Sequence, residues 1–596
     1  MKSLKSFLKK FVVRLLAVIG ALTLIVVIIM AIGLATLLPD RKAVPDRVIL
    51  EVDFEKPLVE YVPPDPLALA LMRKVTTVRD VVEALERASD DKRVVGFVAK
   101  IGSARMGLGI IQEIRDAVTA FTKKGKFSVA YAETFGEFGP GNGGYYLATA
   151  FEEIYLQPSG DVGLTGLMYE CPFVRGTLDK LRMKARIDHR EEFKSAKNIF
   201  TEKKFTKSHQ EAMETLMNSQ FGQIVQGIVK ARGVTEEELK AIIDNAPLLA
   251  DDAAKAKLVD GLLYRDEVYE KVKARAEGAK FLYLGKYLQR AGRLHKDGPT
   301  IALIYGVGGV HRGESEYNAL SGSPSMGSDT VAAAFREAAA DKKVKAIVFR
   351  VDSPGGSYVA SDTIWREVIK AEEAGKPVIV SMGNVAGSGG YFVSMSATKI
   401  VAQPGTITGS IGVVAGKMLT RKFWQDYAGV TWDDVHTSKN ATMWASTYDY
   451  SAEQWQKLQD FLDRVYEDFT TKVAQGRQIE KEKVLDVAKG RIWTGEDAKE
   501  HGLVDELGGF AVALRLARTE AGLKPDAPIK LVVFPRPKKL IETLLKRGPD
   551  SSEPSAEVVA VHQALETVRP LYKMAKEIGL IEENDVLHMP LYKQSW

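Results

Sequence analysis

The sequence predicts an α/β protein built from two tandem copies of one domain behind a single transmembrane helix. Three observations carry this. Residues 15–38 form an apolar run without a charge. The stretch "GNGGYYLATAFEEIYLQPSGDVGLTG" from Gly141 matches "GSGGYFVSMSATKIVAQPGTITGSIG" from Gly387 position for position, with Gln157 falling on Gln403 and Gly163 on Gly409. Within the second copy, short β-branched runs alternate with segments of helical periodicity. That pattern implies a largely parallel sheet with ligands at the carboxyl ends of its strands.

At 596 residues the chain exceeds one ordinary core, so two large domains are expected. It is 45% hydrophobic and 27% charged, as folded proteins are, and its net charge of +5 is small for this length. No basic face interleaved with aromatics argues for nucleic acid. The single cysteine, Cys171, excludes an intrachain disulfide and a cysteine-based metal site.

Taken in order, residues 1–14 carry Lys2, Lys5, Lys9, Lys10 and Arg14 without an acid. The 15–38 run would span about 36 Å as a helix, enough for a hydrocarbon layer of ~30 Å. It exceeds a signal-peptide h-region and closes on no A-x-A-like site, which favours an uncleaved anchor. The basic flank places the N-terminus in the cytoplasm and the bulk of the chain outside it.

The first copy is expected over 39–296 and the second over 297–540. "DKRVVGFVAKI" from Asp91 matches "DKKVKAIVFRV" from Asp341, and "ADDAAKAKLVDGL" from Ala250 echoes "GEDAKEHGLVDEL" from Gly495. In the second copy "TIALIYG", "KAIVFRV" and "KPVIVSM" read as strands. "DTVAAAFREAAADKK" reads as a helix, and "DTIWREVIKAEEAG" as one capped by Gly375. Residues 541–596 read as a polar linker followed by a helical tail interrupted at Pro570. "YGVGGVHRG" at 305–313 lacks the glycine spacing of a dinucleotide loop and reads as a strand end beside the substrate groove.

The repeated loop holds Ser388 in one copy and Asn142 in the other. Ser388 follows a strand and precedes an expected helix, where a serine commonly serves as N-cap. A second element favours chemistry. "VDSPGGSY" at 351–358 is a Pro-Gly-Gly turn at a strand end, a way to present consecutive N–H groups to an oxyanion. The first copy has Arg105 and Met106 where Gly355 and Gly356 stand, so hydroxyl and glycine turn are missing together. A serine nucleophile needs a base, and none of the eight histidines sits in a triad motif. A lysine kept neutral by burial is the other solution. Lys194 and Lys197 in "REEFKSAKNIF" and Lys439 in "VHTSKNATMWA" are the candidates, and the residues alone do not choose among them.

"AGSGGYF" at 386–392, "DSPGGS" at 352–357, "TGSIGV" at 408–413, "GRIWTGEDAKEHGLVDELG" at 490–508 and "FKSA" at 193–196 together resemble the signal peptide peptidase A (protease IV) family, peptidase family S49, in its long, duplicated form. The resemblance covers roughly residues 10 to 535. It implies the Clp-protease/crotonase-like fold and a serine endopeptidase that degrades residual signal peptides and other extended apolar peptides, without metal or nucleotide. It further implies Ser388 as nucleophile, Lys194 as base with Lys439 as the alternative, and backbone N–H groups of Gly355 or Gly356 and of Gly389 as the oxyanion hole. A homotetramer in the bacterial inner membrane is expected, single-pass, with its catalytic bulk in the periplasm. Two other readings fit the same fold: a crotonase-type acyl-CoA enzyme and a catalytically inactive membrane scaffold.

Overall fold

The computed structural model describes residues 43–62, 75–102, 106–318 and 323–536 and the short strand Leu587–His588. The expected anchor at 15–38 and the expected helical tail lie outside the described residues, apart from that strand. Among the described residues no helix is long and apolar enough to cross a membrane.

Two largely parallel sheets organise a mixed α/β chain, the second also carrying Ile407–Gly409 and, antiparallel to it, Ile492–Thr494. The first contains β1 (Val48–Asp53), β2 (Val94–Lys100), β3 (Phe127–Ala132), β4 (Glu153–Leu156), β5 (Gly261–Leu262) and β6 (Lys280–Tyr283), side by side in the order β5-β4-β3-β2-β1-β6. The second contains β7 (Thr300–Val307), β8 (Val344–Ser353), β9 (Val378–Gly387), β10 (Lys399–Ala402), β11 (Glu506–Leu507) and β12 (Lys530–Phe534). Their order is β11-β10-β9-β8-β7-β12, the same path through the corresponding strands. The central strands are buried on both faces, which explains their continuous apolar runs.

Individual bonds recur as well. The Tyr145 hydroxyl donates to Leu258 O at 2.7 Å and that of Tyr391 to Leu503 O at 3.0 Å. Ile154 N donates to Asp260 and Ile400 N to Asp505, both at 2.7 Å. Arg232 pairs with Asp260 and Arg477 with Asp505. Both arginines end helices of 26 residues, Lys207–Arg232 and Ala452–Arg477, each started by a hydroxyl cap.

The expected helices at 329–343 and 362–374 form as Ser328–Ala340 and Tyr358–Glu373, and Gly375 follows the second in the left-handed region. The helix expected after Ser388 is shorter than its sequence suggests, only Gly389–Phe392. Ser394 bonds back to Gly390 O, and the chain turns at once into β10.

The two units are joined through polar contacts made by the first unit's helix Leu108–Thr122 and the segment after β1. Glu60 and Glu113 both hold Arg350 of β8, at 2.6 and 2.7 Å. Glu113 also accepts Phe510 N at 2.7 Å, and Gln112 accepts Gly405 N at 2.7 Å. A second junction is an antiparallel pair of strands, Lys184–His189 from the first half and Val414–Leu419 from the second, in register from Lys184 opposite Leu419 to His189 opposite Val414.

Candidate active site

β9 delivers Ser388. The strand ends at Gly387, and Ser388 then adopts φ 54° and ψ −115°, a conformation an L-residue enters only at a cost. Its N–H donates to Gly409 O at 2.8 Å and its carbonyl accepts Phe392 N at 2.8 Å, so the backbone is locked on both sides. Ser388 occupies the N-cap position of the short helix, yet its hydroxyl caps nothing. The capping role that the sequence left open is therefore vacant, and the hydroxyl is engaged elsewhere.

It meets Lys194. The Nζ lies 2.9 Å from Ser388 Oγ, 2.9 Å from Ser410 O and 3.0 Å from Ser410 Oγ. Both Lys194 and Ser388 are wholly buried. The three bonds involve no carboxylate, so nothing offsets the desolvation of an ammonium. Burial alone pulls the lysine down to about 7. As an ammonium, Lys194 donates to Oγ; as a neutral amine, it is placed to accept the serine proton across the same 2.9 Å.

The arm that brings Lys194 across begins with the strand pair between the halves. Gly416 permits that pair: a Cβ there would lie 2.2 Å from Arg186 O. The chain then bends through Arg190, whose N–H donates to Val413 O at 3.0 Å, and Phe193 N donates to Lys489 O at 3.1 Å. Gly490, at φ 74°, closes over the lysine; a side chain there would sit 2.5 Å from Lys194 Cβ. Ser410 is the residue that reasoning from the sequence missed. It lies within the quoted "TGSIGV", but only the fold turns its hydroxyl and carbonyl toward Lys194.

The other candidates separate clearly. Lys439 is exposed in the loop before the helix Ala452–Arg477, where Gln454 holds its carbonyl at 2.8 Å. Lys197 pairs with Asp188 at 2.9 Å. In the first unit, Asn142 is spent on structure: its amide donates to Gly166 O at 2.8 Å and accepts Gly166 N at 3.1 Å.

The glycine turn lies against the Ser388 loop. A Cβ on Gly389 would be 3.0 Å from Gly356 N and 3.2 Å from Gly355 Cα, so only glycine lets these backbones meet. Gly355 N–H already donates to Ser353 Oγ at 3.2 Å, and that hydroxyl donates to Gly308 O at 2.6 Å. Of the three glycines expected to offer N–H groups, Gly355 is thus engaged internally, while Gly356 and Gly389 face each other. The strand Leu587–His588 runs antiparallel along Gly355–Gly356. Nearby, Phe193, Val385 and Ile407 pack with Met213, Leu216 and Ile492 in an apolar cluster.

The profile of peptidase family S49 matches the chain over two regions, residues 120–279 and 370–524. The chain is 34% identical to Protease 4 of Salmonella typhi over 75% of its own length and 72% of that protein. It is 31% identical to Protease 4 of Haemophilus influenzae, over 87% and 85% of the two chains. It is 30% identical to the chloroplastic serine protease SPPA of Arabidopsis thaliana, over 78% and 68%. With a buried serine at a strained strand end and relatives of this kind along most of its length, the chain belongs to peptidase family S49 and is a serine-type protease.

Proposed function

We propose that the chain is a membrane-anchored endopeptidase working through a Ser388–Lys194 dyad on extended apolar peptides, signal peptides released from their precursors among them. The observation that carries the reading is the 2.9 Å contact between two wholly buried side chains, one of them a lysine without a carboxylate. Neutral Lys194 takes the Ser388 proton as Oγ adds to the peptide carbonyl. The N–H groups of Gly356 and Gly389 receive the oxyanion. Lys194 then protonates the leaving amine as the C–N bond breaks, and water, deprotonated by the same amine, releases the acyl group. Ser410 holds the lysine in line throughout.

Two features support the substrate class. The apolar cluster around Phe193, Val385 and Ile407 flanks the dyad, and the Gly355–Gly356 edge already accepts an extended strand. The repeated strand order and the recurring tyrosine and aspartate bonds support a duplicated ancestry in which one copy kept the hydroxyl and the other the base.

Fluorophosphonate labelling tests the dyad. Ser388→Ala should abolish the adduct, Lys194→Ala should slow it by at least about 100-fold, and Lys439→Ala should leave it unchanged. An adduct that survives Ser388→Ala, or is indifferent to Lys194, overturns the assignment. The anchor is proposed over 15–38, with the N-terminus cytoplasmic and the bulk periplasmic, and assembly as a homotetramer. The exposed Trp424, Tyr427 and Trp444, around a helix Arg421–Ala428 with no buried residue, support a face covered by another subunit. Removing residues 1–42 should shift the protein to the soluble fraction as four-chain particles by light scattering. Retention on the membrane, or single chains, would contradict the anchor or the assembly respectively.

A further inference from the structure

β9 does not run evenly beside β8. Val351 pairs with Met382 and Ser353 with Ala386, so Gly383, Asn384 and Val385 stand opposite the single residue Asp352. This bulge lies immediately upstream of Ser388, and Asp352 immediately precedes the Ser353-Pro354-Gly355-Gly356 turn. Each bulge residue is held from outside the ladder. Thr406 donates its hydroxyl to Gly383 O at 2.7 Å. Ile110 N, from the first unit, donates to Asn384 Oδ1 at 3.0 Å. Val385 N donates to Asp352 Oδ1 at 2.9 Å, and the Asn384 N–H points to the same carboxyl.

We propose that Asp352 is a positioning residue for Ser388: its carboxyl replaces the ladder partner that the bulge removes, and so fixes the nucleophile strand and the glycine turn against each other. The inference rests on Ser388 being the nucleophile. Space supports it, since a Cβ on Gly383 would lie 3.0 Å from Asp352 Cγ and 2.8 Å from Glu60 Oε1. The carboxyl and the bulge are thus packed without slack.

Charge distinguishes this role from simple packing. Around Asp352 stand Glu60, from the first unit, and Arg350, which also serves Glu113; β7 presents Tyr305 near Glu60 and Arg350. The buried Glu60 and Glu113 and the half-buried Asp352 thus gather around Arg350, with Arg79 beside Tyr305 at the edge of the same cluster. Burial, then Glu60, raise Asp352 well above the usual carboxylate range. A group raised in this way favours the fold below its unfolded value, and that contribution is lost as pH rises through its folded value. An ionised Asp352 is therefore bad for stability, and its presence calls for another reason.

The test is Asp352→Asn in the full-length protein, followed by Ser388 phosphonylation by a fluorophosphonate (the O–P bond forms as fluoride leaves) and thermal melting at pH 8.5 and pH 5. The amide offers one accepting oxygen and places an N–H donor where the second oxygen stood. Expected at pH 8.5 is at least a tenfold fall in the phosphonylation rate, with unchanged affinity for a non-covalent product peptide and a melting temperature above wild type. The thermal gain should shrink at pH 5. Asp352→Ala should be slower still. Phosphonylation at the wild-type rate in Asp352→Asn, or a fall that only tracks a lower melting temperature, overturns the inference. If the wild-type adduct is not on Ser388, it is the underlying dyad that fails, a result read from the labelled site rather than from the variant.

Discussion

Lys194 sits among three acceptors and no carboxylate, so its charge is tied to pH in a definite direction. Its folded value is lowered from 10.5 to about 7. Above the unfolded value both states are neutral and burial carries no ionic penalty. As pH falls from 10.5 towards 7 the unfolded chain takes up a proton that the folded chain refuses, and stability drops, by on the order of 5 kcal/mol in all. Lys194→Met should therefore melt higher than wild type near pH 7, and the difference should vanish towards pH 11. Activity of the wild type should rise through a limb near pH 7 as the amine forms. A flat profile from pH 5 to 8, or a Met variant of lower stability near pH 7, would count against a lysine that is buried and neutral. At this scale Ser388 was legible in the sequence because its hydroxyl and the glycine turn are absent together from the first copy. Ser410 and Asp352 were not, since a serine and an aspartate beside glycines differ in nothing local from turn residues.

Among the elements, the pair Lys184–His189 and Val414–Leu419 has the greatest leverage on the site, because it carries the arm of one half onto the other. This pairing is also why sequence could not choose between Lys194 and Lys439. Both lysines follow the repeated segment at similar distances, and the choice depends on which arm crosses between the units. Gly416→Val puts a branched side chain where Arg186 O and Ile187 Cα lie within 2.4 Å of a new Cβ. The strands must part, and Lys194 with them. We expect Ser388 acylation to fall about 10- to 100-fold, as displacements near 1 Å do, with far-ultraviolet circular dichroism unchanged. Wild-type rates in a folded Gly416→Val protein would show that the arm is held by Phe193, Arg190 and Gly490 alone.

For the whole molecule, a largely parallel sheet in each half was readable from the alternation of strand and helix patterns, while the order of its strands was not. The seam between the halves was not readable. Glu60, Glu113 and Arg350 lie far apart in sequence, and charged residues in a sequence usually mark surface. In the fold Arg350 is the guanidinium shared by carboxyls from the other unit. Arg350→Met should cost about 3–5 kcal/mol in urea unfolding at pH 8, because it leaves buried carboxyls without their cation. An unchanged urea midpoint in Arg350→Met would show that this pairing does not hold the seam.

Chain order gives the split site one more property. Lys194 precedes Ser388 by 194 residues, and Gly490, which closes over the lysine, is made later still. A ribosome adding roughly 5–20 residues per second needs tens of seconds to pass from the first to the last of these. On the proposed assignment, every nascent copy emerges with a base and no nucleophile, then with a nucleophile whose base is not yet clamped. On that assignment the complete site exists only once most of the second half has been translated.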